Sequence, residues 1–323
     1  MITIITDPLP VGNLFISEWA KKCGRIARDI FKPPKYNYGR FRGHYAVTRS
    51  LIEGLRKLDL PHNYNPIRIS DMADTVVVLA GVGALRQAIE FKRKGYYNKL
   101  FAGPNIMNFS SDYNFMLASP EVNAVITPSQ HVVDHYVEDS PSLSGRCFAW
   151  PAGVDVDFWA PIPNANRKTI LFYEKHKQGD VDILTPYVRY ILQKGYEVEI
   201  IRYGFFKQRD FLLSLQRAQL MIGFPLNGAE SQGIAWAESW SMDVPTMIWR
   251  NEINTFLGRT YRCSTAPYLN DQTGLFFDSI EDFKYKFALW ENKKVQFTPR
   301  NWTLLNMSDE VCARQLYQKI TQC

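Results

Sequence analysis

A chain of 323 residues, 46% apolar and 22% charged, is long enough for two domains of ordinary size and apolar enough for a full core. No apolar run reaches the roughly 18 residues of a membrane-spanning helix. Five scattered cysteines (Cys23, Cys147, Cys263, Cys312, Cys323), odd in number and without a C-x-x-C pair, exclude a disulfide framework and a thiolate metal site, and predict a reduced, cytoplasmic compartment.

The predicted elements alternate between strand and helix, the pattern of an α/β fold with mostly parallel sheets. The opening MITIITDPLP has no basic leader before its apolar stretch, so it reads as a first strand over 2–6 rather than a signal peptide. An amphipathic helix over 14–31 follows, then a loop over 32–43 holding Pro33, Pro34, Gly39 and Gly43, then a helix over 44–58. Residues 75–80 form a buried strand, 85–94 a helix, 100–102 the start of a short strand and 122–127 another. The Pro-rich stretch 151–163 reads as a linker. A second unit then begins, with strand 169–173, helix 184–194, strand 197–202, helix 207–218 and strand 220–224. Residues 308–320 read as a final helix.

The most informative stretch lies in the second unit. In FPLNGAESQGIAWAESWSMDVPTMIW, Pro225, Asn227 and Gly228 break an apolar strand, a helical pattern opens at Glu230 and Ser231, and 244–249 reads as the next strand. Glu230 falls in the loop or first turn, and Glu238 about two turns along the helix. The backbone amides of Ser231, Gln232, Gly233 and Ile234 would form a helix N-terminus suited to a phosphate. A solvated helix with two unrelated glutamates gives the same spacing, but IAWAESWSM is mostly apolar, so a buried Glu238 needs a partner.

This segment resembles the E-x7-E signature of retaining glycosyltransferases of the GT-B fold, family 4 type. Val125-Ile-Thr-Pro-Ser129 through Tyr136 resembles the strand and helix that close the family's N-terminal domain. Trp150-Pro-Ala-Gly153-Val-Asp155 through Pro161 resembles its interdomain segment, and Thr273-Gly274-Leu-Phe-Phe277 the strand that follows the glutamates. The resemblance covers residues 120–280 well and the first hundred poorly. It implies two Rossmann-like domains facing a cleft: an acceptor domain over 1–158, a nucleotide-sugar domain over 159–305, and a C-terminal helix over 306–323 that crosses back to the first domain. It implies transfer of a sugar from a nucleotide-diphosphate donor, such as a UDP- or GDP-sugar, to a hydroxyl of a glycan or lipid-linked acceptor. The anomeric configuration would be retained, with no cofactor and no metal. Glu230 would bind the donor sugar and Glu238 the ribose.

A leaving diphosphate also needs cations. The family's usual Arg and Lys pairs are absent after the strand at 169–173, where Lys175 and Lys177 are the nearest cations; exposed loop lysines would read the same. Arg202 is a further phosphate candidate, and Gly204 could admit close approach of a nucleotide. In the first domain Gly43, His44 and Asn105 are the acceptor candidates, and Ser129 and His131 could border the site. The D-x-D pairs Asp155/Asp157 and Asp180/Asp182 resemble metal motifs, but sit where turns and helix caps use acids.

Residues 1–60 hold eleven Lys and Arg against five Asp and Glu, which accounts for the formal charge of +6. The basic residues of 21–57 could be a solvated face. They could equally meet a phosphorylated or lipid-linked acceptor, a membrane surface as a peripheral contact, or nucleic acid. A DNA-modifying glucosyltransferase and a non-catalytic sugar-nucleotide-binding protein are the alternatives.

Overall fold

The structure, a computed structural model, describes residues 1–6, 44–66, 68–163, 165–175, 183–225 and 228–322. The helix read at 14–31, the loop at 32–43 with Gly43, most of the basic cluster, and Lys177, Asp180 and Asp182 lie outside the described residues. The chain divides into two compact units, one comprising 1–6, 44–152 and 312–322, the other 153–311.

The first unit is built on an all-parallel sheet of six strands: β1 (Ile2–Thr6), β2 (His62–Tyr64), β3 (Thr75–Ala80), β4 (Lys99–Asn105), β5 (Ala124–Thr127) and β6 (Cys147–Ala149). Their order is β2-β1-β3-β4-β5-β6. β1 and β3 are buried almost throughout, as expected of parallel strands covered on both faces. The helix Val82–Arg93 turns Ala84, Leu85, Ala88 and Ile89 inward, an i, i+1, i+4, i+5 stripe that packs against Val76, Val78 and Leu100. Residues 312–322 add a further wall: Cys312, Ala313, Leu316 and Ile320 are buried. The Trp150 indole donates to the Cys312 carbonyl at 2.8 Å.

The second unit repeats the plan with five parallel strands: β7 (Thr169–Glu174), β8 (Glu197–Arg202), β9 (Ala218–Phe224), β10 (Thr246–Trp249) and β13 (Gly274–Phe277). They are ordered β13-β10-β9-β7-β8. The edge strand β8 is mostly exposed or half-buried and carries Glu197, Glu199 and Arg202, charges that blunt an open edge. Helices Thr185–Gln193 and Ile280–Glu291 close one face around Tyr187, Phe224, Phe277, Phe283 and Phe287, whose rings meet edge-on or tilted at 4.9 to 5.8 Å. Between β10 and β13 the chain inserts an antiparallel hairpin, β11 (Ile253–Phe256) with β12 (Arg259–Arg262). Among the described residues no helix is long and apolar enough to cross a membrane.

The helix after β9 begins later than the sequence implies. Its bounds are Ile234–Ser241, so Glu230 to Gly233 are loop rather than first turn, and Glu238 is the fifth helical residue rather than two turns along. The reason is Gly233, whose backbone is left-handed (φ 78°, ψ 58°) and cannot continue a helix backwards. A Cβ there would fall 2.1 Å from Cδ1 of Trp236. Trp236 itself is buried, with its indole bonded to the Thr265 carbonyl at 3.0 Å and its ring edge lying over Gly223 of β9. A Cβ on Gly223 would come within 2.6 Å of that ring. Gly223→Ala therefore overpacks the helix–sheet contact. It should cost about 1–3 kcal/mol, read as a lower urea midpoint. An unchanged midpoint would mean that the helix is not seated on β9 in this way.

Candidate functional site

In the second sheet the chain steps outward from β7 to β8, then returns past β7 to lay β9 on its other side. Where strand order reverses, the connections leave in opposite directions, and a crevice opens outside the carboxyl ends of the two flanking strands; ligands of open parallel sheets bind there. The residues that leave β7 and β9 are therefore the ones to inspect.

Lys175 follows β7 directly. Its amide donates to the Phe224 carbonyl at the end of β9 (3.0 Å), which fixes the backbone across the reversal point. Its Nζ donates to Glu230 Oε1 at 2.5 Å and stands 4.9 Å from the Tyr203 ring centroid. Burial pulls the lysine pKa down, but the charge and hydrogen bond of Glu230 outweigh it, and the net shift is upward. Lys175 is thus a cation at neutral pH. The pair is not sealed off, with 24% of the lysine side chain and 12% of the glutamate side chain exposed.

Glu230 is braced from the opposite side. Its amide donates to the Ser264 carbonyl at 2.9 Å. Two residues earlier, the Gly228 carbonyl accepts from Asn251 Nδ2 at 2.8 Å and from Cys263 Sγ at 3.3 Å. Beyond Glu230 the loop runs through exposed Ser231 and buried Gln232 to Gly233 and the helix at Ile234. The first amides of that helix have no acceptor within it and make its end electropositive. Trp236, Ala237, Trp240 and Ser241 face inward, whereas Ile234, Ala235 and half-buried Glu238 share the opposite side at i, i+1 and i+4. Glu238 therefore stands one turn below the helix start, on the same stripe.

The sequence candidates at the end of β8 are placed beside this pair. The Tyr203 amide donates to the Glu174 carbonyl at 2.8 Å, and Gly204 turns the chain at φ 88°. Arg202 donates through Nε to buried Glu174, so its guanidinium is already tied to a carboxylate. Asn105 closes β4 in the first unit, where its Nδ2 is buried without a hydrogen-bond partner among the described residues. His44 opens the helix His44–Lys57. Ser129 is buried and its hydroxyl lies 3.0 Å from His131 Nδ1. Asp155 Oδ1 accepts from the amides of Asp157 and Phe158, at 3.3 and 3.1 Å, the bonding of a turn. Among the described residues no group of three or more His, Cys, Asp or Glu side chains is gathered to hold a metal.

Three parts of the site are invisible to motif reading. Tyr203 beneath Lys175 has only its place before Gly204 to mark it. Asn251 and the Cys263–Ser264 stretch reach the glutamate loop from beyond the next strand, and no spacing announces them.

No protein-family model matches this chain, and no curated protein sequence does. Solved structures do match it over nearly its whole length. A glycosyltransferase from Rickettsia africae ESF-5 aligns with 99% of each chain at 12% identity and a TM-score of 0.55. The lipopolysaccharide outer core galactosyltransferase WaaB, in its apo form, aligns with 99% of each chain at 11% identity and a TM-score of 0.55. Anabaena HepE in complex with UDP aligns with 100% of each chain at 10% identity and a TM-score of 0.51. The chain has the GT-B fold. At these identities the likeness is one of fold.

Within this GT-B chain, burial holds the His131 imidazole at about 4, below its usual 6.5. The unfolded chain binds this proton more readily, so the associated stability is complete above about pH 6.5 and is lost as pH falls toward 4. The urea midpoint should fall across that window, and fall less in His131→Gln. Equal pH dependence of variant and parent would remove His131 as the cause.

Proposed function

We propose that this protein is a retaining glycosyltransferase that moves a sugar from a nucleotide-diphosphate sugar to a hydroxyl of a glycan or lipid-linked acceptor. The observation that carries the reading is the Lys175–Glu230 pair, at the carboxyl ends of β7 and β9 and beside an open helix end. That arrangement offers a cation, a carboxylate and backbone donors around one crevice. A sugar diphosphate asks for those three groups. Glycosyltransferases of the same fold, and a neighbour of that fold holding UDP, add to the support.

As the glycosidic bond breaks, negative charge grows on the leaving diphosphate. Lys175 and the amides of Ser231, Gln232, Gly233 and Ile234 stabilise that charge, and they are arranged before it appears. Glu230 accepts hydrogen bonds from donor-sugar hydroxyls while remaining the counter-ion of Lys175. Glu238 accepts from the ribose hydroxyls, and the Tyr203–Gly204 turn with Arg202 borders the nucleotide. The leaving phosphate oxygen helps take the acceptor proton, so neither a glutamate nucleophile nor a metal is required. His44 and Asn105 serve the acceptor; the buried Asn105 amide is a donor awaiting an oxygen.

Calorimetry with UDP, GDP and ADP tests the donor half. One diphosphate should bind, and Glu238→Ala should weaken it about 10- to 100-fold, the worth of charged hydrogen bonds of about 1.5–3 kcal/mol. Glu230→Ala should keep nucleotide binding and lose turnover. Nucleotide binding lost in Glu230→Ala, with normal turnover of what still binds, would overturn its assignment.

A further inference from the structure

The hairpin inserted between β10 and β13 builds a second feature beside Glu230. A cavity of about 640 Å³ lies at its base, lined by Arg250, Asn251, Glu252, Arg262, Ser264 and Phe276. Arg250 enters from the end of β10. Its amide donates to the Phe277 carbonyl at 2.7 Å, and its guanidinium lies 5.1 Å from the Phe276 ring centroid. Arg262 enters from β12, opposite Ile253 in the hairpin register, and its guanidinium makes no hydrogen bond or ion pair among the described residues. Glu252 is the one acid among the lining residues; it is 73% exposed and reaches Arg250 at 3.9 Å, a weak exposed contact. Two guanidiniums against one outlying carboxylate leave the cavity cationic. It also shares a wall with the site already described, because the Ser264 carbonyl holds the Glu230 amide and Asn251 holds the Gly228 carbonyl.

A guanidinium over an aromatic face and a second guanidinium lining the same cavity offer planar forks for an oxyanion. We propose that this cavity binds a phosphate or carboxylate carried by one of the two sugar substrates, which rests on the sugar-transfer reading above. The hairpin thereby selects a charged substrate over a neutral one of the same sugar. Donor and acceptor could each supply that anion, so each is given its own arm in the test.

The experiment is calorimetry on wild type and on Arg262→Ala, Arg250→Ala and their double variant. UDP serves as the control and should bind all four proteins alike. In the donor arm, UDP-glucuronate is compared with UDP-glucose. In the acceptor arm, glucose 6-phosphate is compared with glucose, without nucleotide. The charged probe of one arm should bind wild type at least about tenfold tighter than its neutral partner, a difference of about 1.4 kcal/mol. The gap should shrink in each single variant and vanish in the double. A gap in the first arm assigns the anion to the donor, and in the second to the acceptor. No gap in either arm, or a gap that survives the double variant, overturns the proposal. Where GDP or ADP binds in place of UDP, that diphosphate becomes the control and its glucuronate and glucose esters the donor arm; failure of all three to bind would sink the nucleotide reading alone, since the glucose 6-phosphate arm reads the cavity without it.

Discussion

The contact of Trp236 with Gly223 governs the geometry of the second unit. An indole edge set against a strand residue without a side chain brings helix and sheet closer than a Cβ at that position would allow. Beside the seated indole there is no room for a Cβ at residue 233, and the glycine there is left-handed, so the helix begins at Ile234. The helix end then opens at the top of β9, and Glu230 is left in the loop within reach of Lys175. Glu238, one turn down, is carried on the side that the two tryptophans and Ser241 leave uncovered.

Two cation–carboxylate pairs stand at the ends of neighbouring strands, Lys175 with Glu230 and Arg202 with Glu174. They differ in what they can do. Glu174 is almost fully buried and faces an arginine that is itself mostly exposed, so this pair ties the end of β8 to the interior end of β7. Lys175 and Glu230 are both partly open. Under the proposed function, an arriving anion shares the ammonium without displacing the carboxylate, which remains to accept from neutral hydroxyls. The Arg202 pair is a brace; the Lys175 pair is a dipole already set beside the crevice.

The alternation of apolar runs with amphipathic stretches made the two parallel sheets legible. Strands buried on both faces carry their signal in every residue, so β1, β3, β7 and β9 read directly from composition. What escaped reading were the elements whose signal is weak or borrowed. β2 and β6 are three residues each at sheet edges and only partly buried, too short for a periodic pattern. The hairpin β11–β12 is mostly exposed and polar, so its alternation says nothing about a core. The helix start at Ile234 is marked by a left-handed Gly233, and Trp236 lies where a Cβ on Gly233, or on Gly223 of a neighbouring strand, would fall. Gly233 and Trp236 are only three apart, but the seat of the indole on Gly223 depends on a strand that becomes a neighbour after folding, so a helical pattern opening at Glu230 and Ser231 overshoots the true start by three or four residues. Of the candidate site, type and position single out Glu230, Glu238 and Lys175, and the structure pairs Glu230 with Lys175. Tyr203, Asn251 and Ser264 were not, since their roles arise from strands that become neighbours only after folding.

The path of the chain has a consequence for how the molecule is made. Among the described residues the first unit is discontinuous: 312–322 belong with 1–6 and 44–152, and the described part of the second unit, 153–311, lies between them in sequence. On a ribosome that part can close its own sheet as soon as it emerges. The first unit must wait with Trp150 uncovered, because the carbonyl that receives its indole belongs to a residue 162 positions further along. The part made first is thus the part finished last, and a chain halted after residue 311 would carry an intact second unit and an unfinished first.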